Sequence, residues 1–393
     1  MASAVDLPLP STIGAVKRKR STSTVSTPLI STAPSAPKRA SFDPAKHLNF
    51  KEPEKVWSMK EIGLADRGVS PIAVSEPFSL FTKEAIQQMR AEVLSKPVLD
   101  NCKYSSNLAQ FQLRGFAPDY APFVYDAWRS PEVLSIVSKV AGVELVPAMD
   151  FEIAHINIST NSEEQQEATK QALQEKVHRD ADEGVSGCPY EDDEPIVDWH
   201  TDSYPFVCVT MLSDCTNMIG GETALRTGHG DIMKVRGPGM GNAVILQGRY
   251  IEHQAMRALG TSERISMVTS FRPKSAFVQD DTVLTTVRAI SDLSELYSQY
   301  AEYRLEMLEE RIRAHLKEIR DRKRARRGFN TAATKAFIRE QKGFLDSMLR
   351  EIVDEDMVTV GFLDGDTHLL SDDLKVQSRK KARFQSEDAF SEL

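Results

Sequence analysis

In the stretch DWHTDSYPFVCVTMLSD, His200 and Asp202 stand two residues apart at the head of an apolar run. An imidazole nitrogen and a carboxylate oxygen together hold a divalent first-row metal without saturating it. On extended chain, residues i and i+2 share a side, so both can aim at one point. The alternative is a pair that merely solvates a turn. A metal requires a third ligand, and of the eight histidines His47, His178, His315 and His368 stand in tail, acidic or basic surroundings. Three remain. His229 lies between two glycines, in a turn that faces water. His155 lies on a strand-like segment, and His253 follows NAVILQGRYI. His253 is preferred, because the end of a strand presents a ligand rigidly. His200, Asp202 and His253 would take three corners of an octahedron and leave three open. That arrangement suits non-haem Fe(II), which must also bind a co-substrate and oxygen. The same ligands on zinc would suit hydrolysis, but no general base stands beside the pair.

A second pair at i, i+2 spacing, Arg264 and Ser266, opens the strand-like RISMVTSF. A buried guanidinium needs an anion, and it takes a carboxylate in bidentate fashion. An internal Asp or Glu would satisfy it as well as a ligand would. The run Gly237-Pro238-Gly239-Met240-Gly241 lies between two strand-like segments and lacks a following Lys-Ser/Thr, so it reads as a turn and not as a phosphate loop.

These residues need elements to carry them. VCVTML, TALRTG, DIMKVR, NAVILQG and ISMVTSF are short, rich in β-branched residues and separated by glycine-bearing turns. That pattern predicts a sandwich or barrel, with a jelly roll among the options. Upstream, apolar residues at helical spacing predict helices over 81–94 with Thr82 as N-cap, over 122–128, and over 130–140, where Ser130-Pro131 starts and Gly142 ends the helix. A strand is predicted over 144–159. Downstream, 288–327 reads as one long helix in which Leu293, Leu296, Tyr300, Met307, Leu308, Ile312, Leu316 and Ile319 recur at three- and four-residue steps. A further helix opens at Asn330 or Thr331, with Phe337, Gln341, Phe344, Leu345, Met348, Leu349 and Ile352 on one face. The two would form a hairpin that packs on the barrel or makes a dimer contact.

Taken in order, WHTD, GGET, GNAVILQ, EHQAMRALGTSERIS and SFRP resemble the Fe(II)/2-oxoglutarate-dependent dioxygenases over roughly residues 145–275. The resemblance implies an α+β fold: a double-stranded β-helix (jelly-roll) core with N-terminal helices and, here, a C-terminal helical extension. It implies iron held by His200, Asp202 and His253. Arg264 and Ser266 would then grip the distal carboxylate of 2-oxoglutarate, and Gly220-Gly221-Glu222-Thr223 would shape a strand turn. Where plant-type members carry Asn-x-Tyr, this chain has His155-Ile156-Asn157-Ile158-Ser159, so Asn157 or His155 is a candidate co-substrate contact. The implied activity consumes 2-oxoglutarate and O2, releases succinate and CO2, and oxidises, usually hydroxylates, a substrate C–H. Trp199 and Tyr204 flank the ligands and are expected to pack. The general layout resembles fungal members.

Composition bounds the remaining readings. The chain has 393 residues, 41% of them hydrophobic, and a net charge of −8, which gives no global case for nucleic-acid binding. Four cysteines without CxxC spacing read as reduced thiols of an intracellular protein, cytoplasmic or nuclear. Neither a signal peptide nor a run of about 20 apolar residues is visible, so no membrane contact is expected. Residues 1–48, with seven Lys or Arg against two Asp, and 370–393 are expected to be disordered. Each holds a basic cluster of the kind that serves as a nuclear address. Folded chain is expected from Val56, giving a dioxygenase domain over 56–275 and a helical extension over 286–355. Within the domain, 161–198 is an acidic insertion of net charge −9, either a lid or a solvated excursion. A small-molecule substrate is favoured. The basic run 311–327 leaves a nucleic-acid or protein substrate open, and oligomeric state is not legible. The rival functions are a 2-oxoglutarate-independent iron oxygenase and a non-catalytic jelly roll used as a binding module.

Overall fold

The computed structural model describes residues 41–361 except 107–110, 161–194, 216–218, 236, 238, 257 and 260–262. Nearly all of the N-terminal tail, almost the whole acidic insertion and the C-terminal tail lie outside these residues.

Eight strands form the core: β1 His155–Thr160, β2 Pro195–His200, β3 Phe206–Met211, β4 Thr223–Arg226, β5 Ile232–Val235, β6 Asn242–Leu246, β7 His253–Met256 and β8 Glu263–Pro273. They divide between two antiparallel sheets. One runs β1-β8-β3-β6 and the other β2-β7-β4-β5. Apart from the β4–β5 hairpin, each core strand is followed by one in the opposite sheet, which is the winding of a jelly roll. The protein is thus a mixed α+β fold on an antiparallel jelly-roll core. Short strands extend the larger sheet: Ile72–Ser75 beyond β6, Gln112–Leu113 beyond β1, and Leu145–Pro147 along β8.

The larger sheet has two apolar faces, because helices cover one and the second sheet covers the other. Ile265, Met267, Phe271, Ile156 and Cys208 point outward. They pack beneath three helices, α1 Lys83–Val93, α2 Pro122–Arg129 and α3 Pro131–Ala141, through Met89, Trp128 and Val137. The alternate residues Val207, Val209, Val244 and Val268 point inward and meet Leu225 and Val235 of the smaller sheet. The helix starts follow the expected chemistry. Thr82 and Ser130 accept from Ala85 and Val133 N–H, and Gly142 closes α3 in the left-handed region at φ 69°.

Two expectations change at the N-terminal side. The chain folds before Val56: Pro44–His47 is a helical turn whose buried His47 packs against Phe123. The strand expected over 144–159 is broken. Between Leu145–Pro147 and β1 lies a turn, Asp150–Glu152, with Ala154 at φ 63°. Ion pairs reached from distant segments hold this break. Asp150 takes Arg129 and the Tyr125 hydroxyl, and Glu152 takes Arg114.

Beyond β8 stand two antiparallel helices, α4 Leu293–Arg324, capped by Asp292, and α5 Thr331–Glu351, capped by Asn330. Residues 288–290 form a separate turn in place of the first part of the expected helix. Leu296, Tyr300, Met307, Phe344 and Met348 bury against Ala148, Tyr204, Ala276 and Leu284. Ile312, Leu316, Leu345 and Leu349, part of the same helical patterns in the sequence, are exposed. No helix among the described residues is long and apolar enough to cross a membrane.

Candidate metal centre

The smaller sheet assembles the cluster. His200 ends β2 and His253 opens β7, and the two are directly paired across the sheet, their ring centroids 4.3 Å apart. Asp202 lies just past β2 rather than on it, held where its N–H donates to Gly248 O at 3.0 Å. Asp202 Oδ1 stands 3.6 Å from His200 Nε2, and Oδ2 stands 3.6 Å from His253 Nε2. These contacts are too long for hydrogen bonds. Among the described residues this is the one cluster of three or more His, Cys, Asp or Glu side chains with ligand atoms mutually within 4.8 Å.

Two details show that the donors suit a cation. Asp202 Oδ2 is buried with no hydrogen-bond partner among the described residues, a costly state for a carboxylate oxygen unless a cation meets it. His253 Nδ1 lies 2.9 Å from Ile251 O, so Nδ1 carries the proton and donates it. That leaves the Nε2 lone pair aimed at the cluster, the tautomer a metal ligand requires. Gly248 makes room for the carboxylate, since a Cβ there would overlap Asp202 Oδ2.

A strap after β8 braces the cluster from behind. Ser203 O accepts from Val283 N–H at 2.9 Å, and the Ser203 and Thr286 hydroxyls are 2.6 Å apart. Arg249, next to Gly248, donates to Asp281 O at 2.8 Å and to Thr201 Oγ1 at 3.4 Å. Tyr250 donates its hydroxyl proton to Asp281. The residues on both sides of Asp202 are therefore tied to 281–286. That strap is tied in turn to the helical hairpin by Arg304–Asp280 and by Glu351, which accepts from Leu284 N–H and Arg288.

Arg264 and Ser266 lie on β8, on the same inward face as Val268. Arg264 Nε is buried without a hydrogen-bond partner, and no described acid forms an ion pair with it. Its neighbour Glu263 pairs with Arg90 instead. Burial pushes the Arg264 guanidinium below its ordinary range, opposed by the nearby Cys215 thiol. The internal salt bridge that would have explained Arg264 is thus missing among the described residues. Asn157, paired across strands with Ser266, shares this inward face and accepts from Gln112 Nε2 at 3.2 Å. His155 is occupied rather than ligating. Arg114 donates to its Nδ1 at 3.1 Å, and Gln112 meets Nε2 at 3.2 Å. Burial first, and Arg114 second, hold His155 well below 6.5, so it is neutral. The buried Arg114–Glu152 pair beneath it carries no short-range sequence signal, because the two residues meet only through the fold.

The remaining expected residues fall as follows. His229 is an exposed turn residue packed over Gly63. Trp199 lies under the Arg226 guanidinium at 4.5 Å, and Tyr204 is buried in the core beside the hairpin, so both pack. Gly220 and Gly221 adopt φ of 74° and 75° in the turn before β4.

No protein-family model and no curated protein matches the chain. Among solved structures it is similar to an oxidoreductase of the 2OG-Fe(II) oxygenase family from Burkholderia pseudomallei, at 11% identity and TM-score 0.30, covering 43% of this chain and 71% of that one. A non-heme alpha-ketoglutarate-dependent epimerase from nogalamycin biosynthesis, SnoN, is 11% identical at TM-score 0.33, covering 55% and 84%. A prolyl 4-hydroxylase from Phytophthora capsici is 13% identical at TM-score 0.30, covering 75% and 92%. Likeness this low carries no weight on activity, and strand order and ligand geometry stand without it.

Proposed function

We propose that the protein is an Fe(II)- and 2-oxoglutarate-dependent dioxygenase that oxidises a C–H group of a small molecule. One observation carries the reading: a His-Asp-His cluster with an unpartnered carboxylate oxygen shares a jelly roll with a half-buried arginine, its buried Nε unpartnered, on the inward face of the larger sheet. A three-ligand site leaves room for a chelating co-substrate and oxygen, and an unpaired guanidinium asks for a carboxylate.

In this reading His200, Asp202 and His253 hold Fe(II), which with 2-oxoglutarate and O2 supplies the oxidant for the substrate. Arg264 and Ser266 bind the distal carboxylate, and Asn157 lies beside them on the same face. The His253 Nδ1–H bond to Ile251 O fixes the ring, and the strap from 281 to 286 keeps Asp202 aligned. The basic run 311–327 sits on the last turns of α4 and the residues just after it, not on the strands that carry the cluster, so it makes no case for a polyanionic substrate. The rival 2-oxoglutarate-independent oxygenase leaves Arg264 without an anion.

The test is uncoupled turnover of 2-oxoglutarate, read as succinate formed with Fe(II) and O2 and no added substrate. The wild type is expected to form succinate, Asp202→Ala to form none, and Arg264→Ala to need at least tenfold more 2-oxoglutarate for the same rate. An unchanged requirement in Arg264→Ala, or turnover by Asp202→Ala, would contradict the assignment.

A further inference from the structure

The helical hairpin carries a surface that the barrel does not use. On α4, Leu305, Ile312 and Leu316 are exposed, Leu305 by 51%. At about 100° per residue, they lie opposite the face that Leu296, Tyr300 and Met307 bury. On α5, Ile338 and Leu349 are exposed by 59% and 76%, with Leu345 between them. The helices run antiparallel, His315 stacking on Phe337 and Arg304 reaching Ser347. Helical handedness then brings both stripes to the side of the hairpin turned away from the barrel. Contiguous apolar patches of this kind mark interaction sites.

The charges beside the stripe say what covers it. Along α4 the flanking exposed residues are acidic first, Glu302, Glu306 and Glu309, and then basic, Arg313, Lys317 and Arg320. We propose that the hairpin is a homodimerisation surface, with α4 of one copy lying antiparallel on α4 of a second. A twofold axis crossing α4 near Glu310 sets Leu305 against Leu316 of the second copy. It sets the acidic half of each helix against the basic half of the other. A parallel pairing would oppose like charges along the whole contact.

The second helix agrees independently. Its register against α4 is fixed by the His315–Phe337 and Arg304–Ser347 contacts. The level of Glu310 therefore falls on α5 at Gln341 to Lys342. An axis there opposes Ile338 to Leu345 of the second copy, both of them exposed. One axis satisfies both helices, as an isologous interface requires.

About 20 residues of overlap on two neighbouring helices cover roughly 600 Å² per copy, near the lower bound for stable interfaces. The dimer is therefore expected to dissociate on dilution. The charges set orientation more than affinity.

Sedimentation velocity of the full chain over a dilution series tests this. The wild type is expected to shift reversibly from dimer to monomer. The variants Glu302→Arg/Glu309→Arg and Arg313→Glu/Arg320→Glu should each be monomeric under conditions where the wild type is dimeric. Their unfolding should nearly match the wild type, since all four residues are exposed and the Glu309–Arg313 pair that each variant breaks is a surface pair. An equimolar mixture of the two variants should restore the dimer, which misfolded variants could not do. A wild type that stays monomeric throughout would overturn the proposal, including one whose sedimentation shifts only when a short nucleic-acid duplex is added. So would a dimer that survives both charge reversals. None of these outcomes depends on the metal centre or on turnover.

Discussion

At the residue scale, the His-Asp-His cluster depends on groups outside it. Gly248 is the clearest case, because only a hydrogen fits beside Asp202 Oδ2. Gly248→Ala should displace the carboxylate and weaken Fe(II) or Mn(II) binding at least tenfold, measured by anaerobic titration, while shifting the unfolding midpoint little. Metal affinity equal to wild type would mean that the carboxylate is not a ligand. His155 makes a different prediction. It is neutral in the fold, with a pKa well below 6.5, so below about pH 6.5 the unfolded chain binds a proton that the folded chain does not. Stability should fall as pH drops through that range, by up to about 1.4 kcal/mol per pH unit. His155→Gln, which keeps an acceptor for Arg114, should flatten that slope in urea unfolding run between about pH 5.5 and 7. An unchanged slope would mean that His155 is protonated in the fold. The candidate residues were legible as short-range spacings: Arg264 and Ser266 share a face of one strand, whereas Asp202 lies past the end of β2 and is brought to His200 by its bond to Gly248. Gly248 and the Arg114–Glu152 pair were not legible, because each matters only through a partner that the fold brings from elsewhere.

At the element scale, the strap between β8 and α4 joins the hairpin to the ligand loop. Arg304 and Asp280 form its buried anchor, with Arg304 also stacked on Phe344 at 3.6 Å. Removing one member of a buried pair strands the other, so Arg304→Met should lower stability by about 3–5 kcal/mol in denaturant unfolding. A loss under about 1 kcal/mol would mean that Asp280 is solvated instead. Helix starts were readable in advance because caps are local chemistry: Thr82, Ser130 and Asn330 all accept the expected backbone bonds. The apolar stripes were read less well. Three- and four-residue steps link Leu296 to Leu316 along α4, yet the barrel covers the first and leaves the second exposed. At about 100° per residue the two lie on opposite sides of α4, because three- and four-residue steps drift around a helix over about 20 residues.

At the scale of the whole molecule, the strands were recognisable one by one from β-branched residues and glycine turns, whereas their pairing was not. His200 meets His253 because β2 and β7 are neighbours in one sheet although four strands lie between them in sequence. No window of residues encodes that adjacency. It comes from closing two sheets over one core, with the ordered motifs as its only trace in the sequence. The central claim is that this closure builds an iron site that chelates 2-oxoglutarate. The most direct measurement is the visible charge-transfer absorption formed when 2-oxoglutarate is added anaerobically to the Fe(II)-loaded protein. The band should appear in the wild type, vanish in His253→Ala and demand more 2-oxoglutarate in Arg264→Ala. Iron that binds through His200, Asp202 and His253 but gives no band with 2-oxoglutarate would contradict the account.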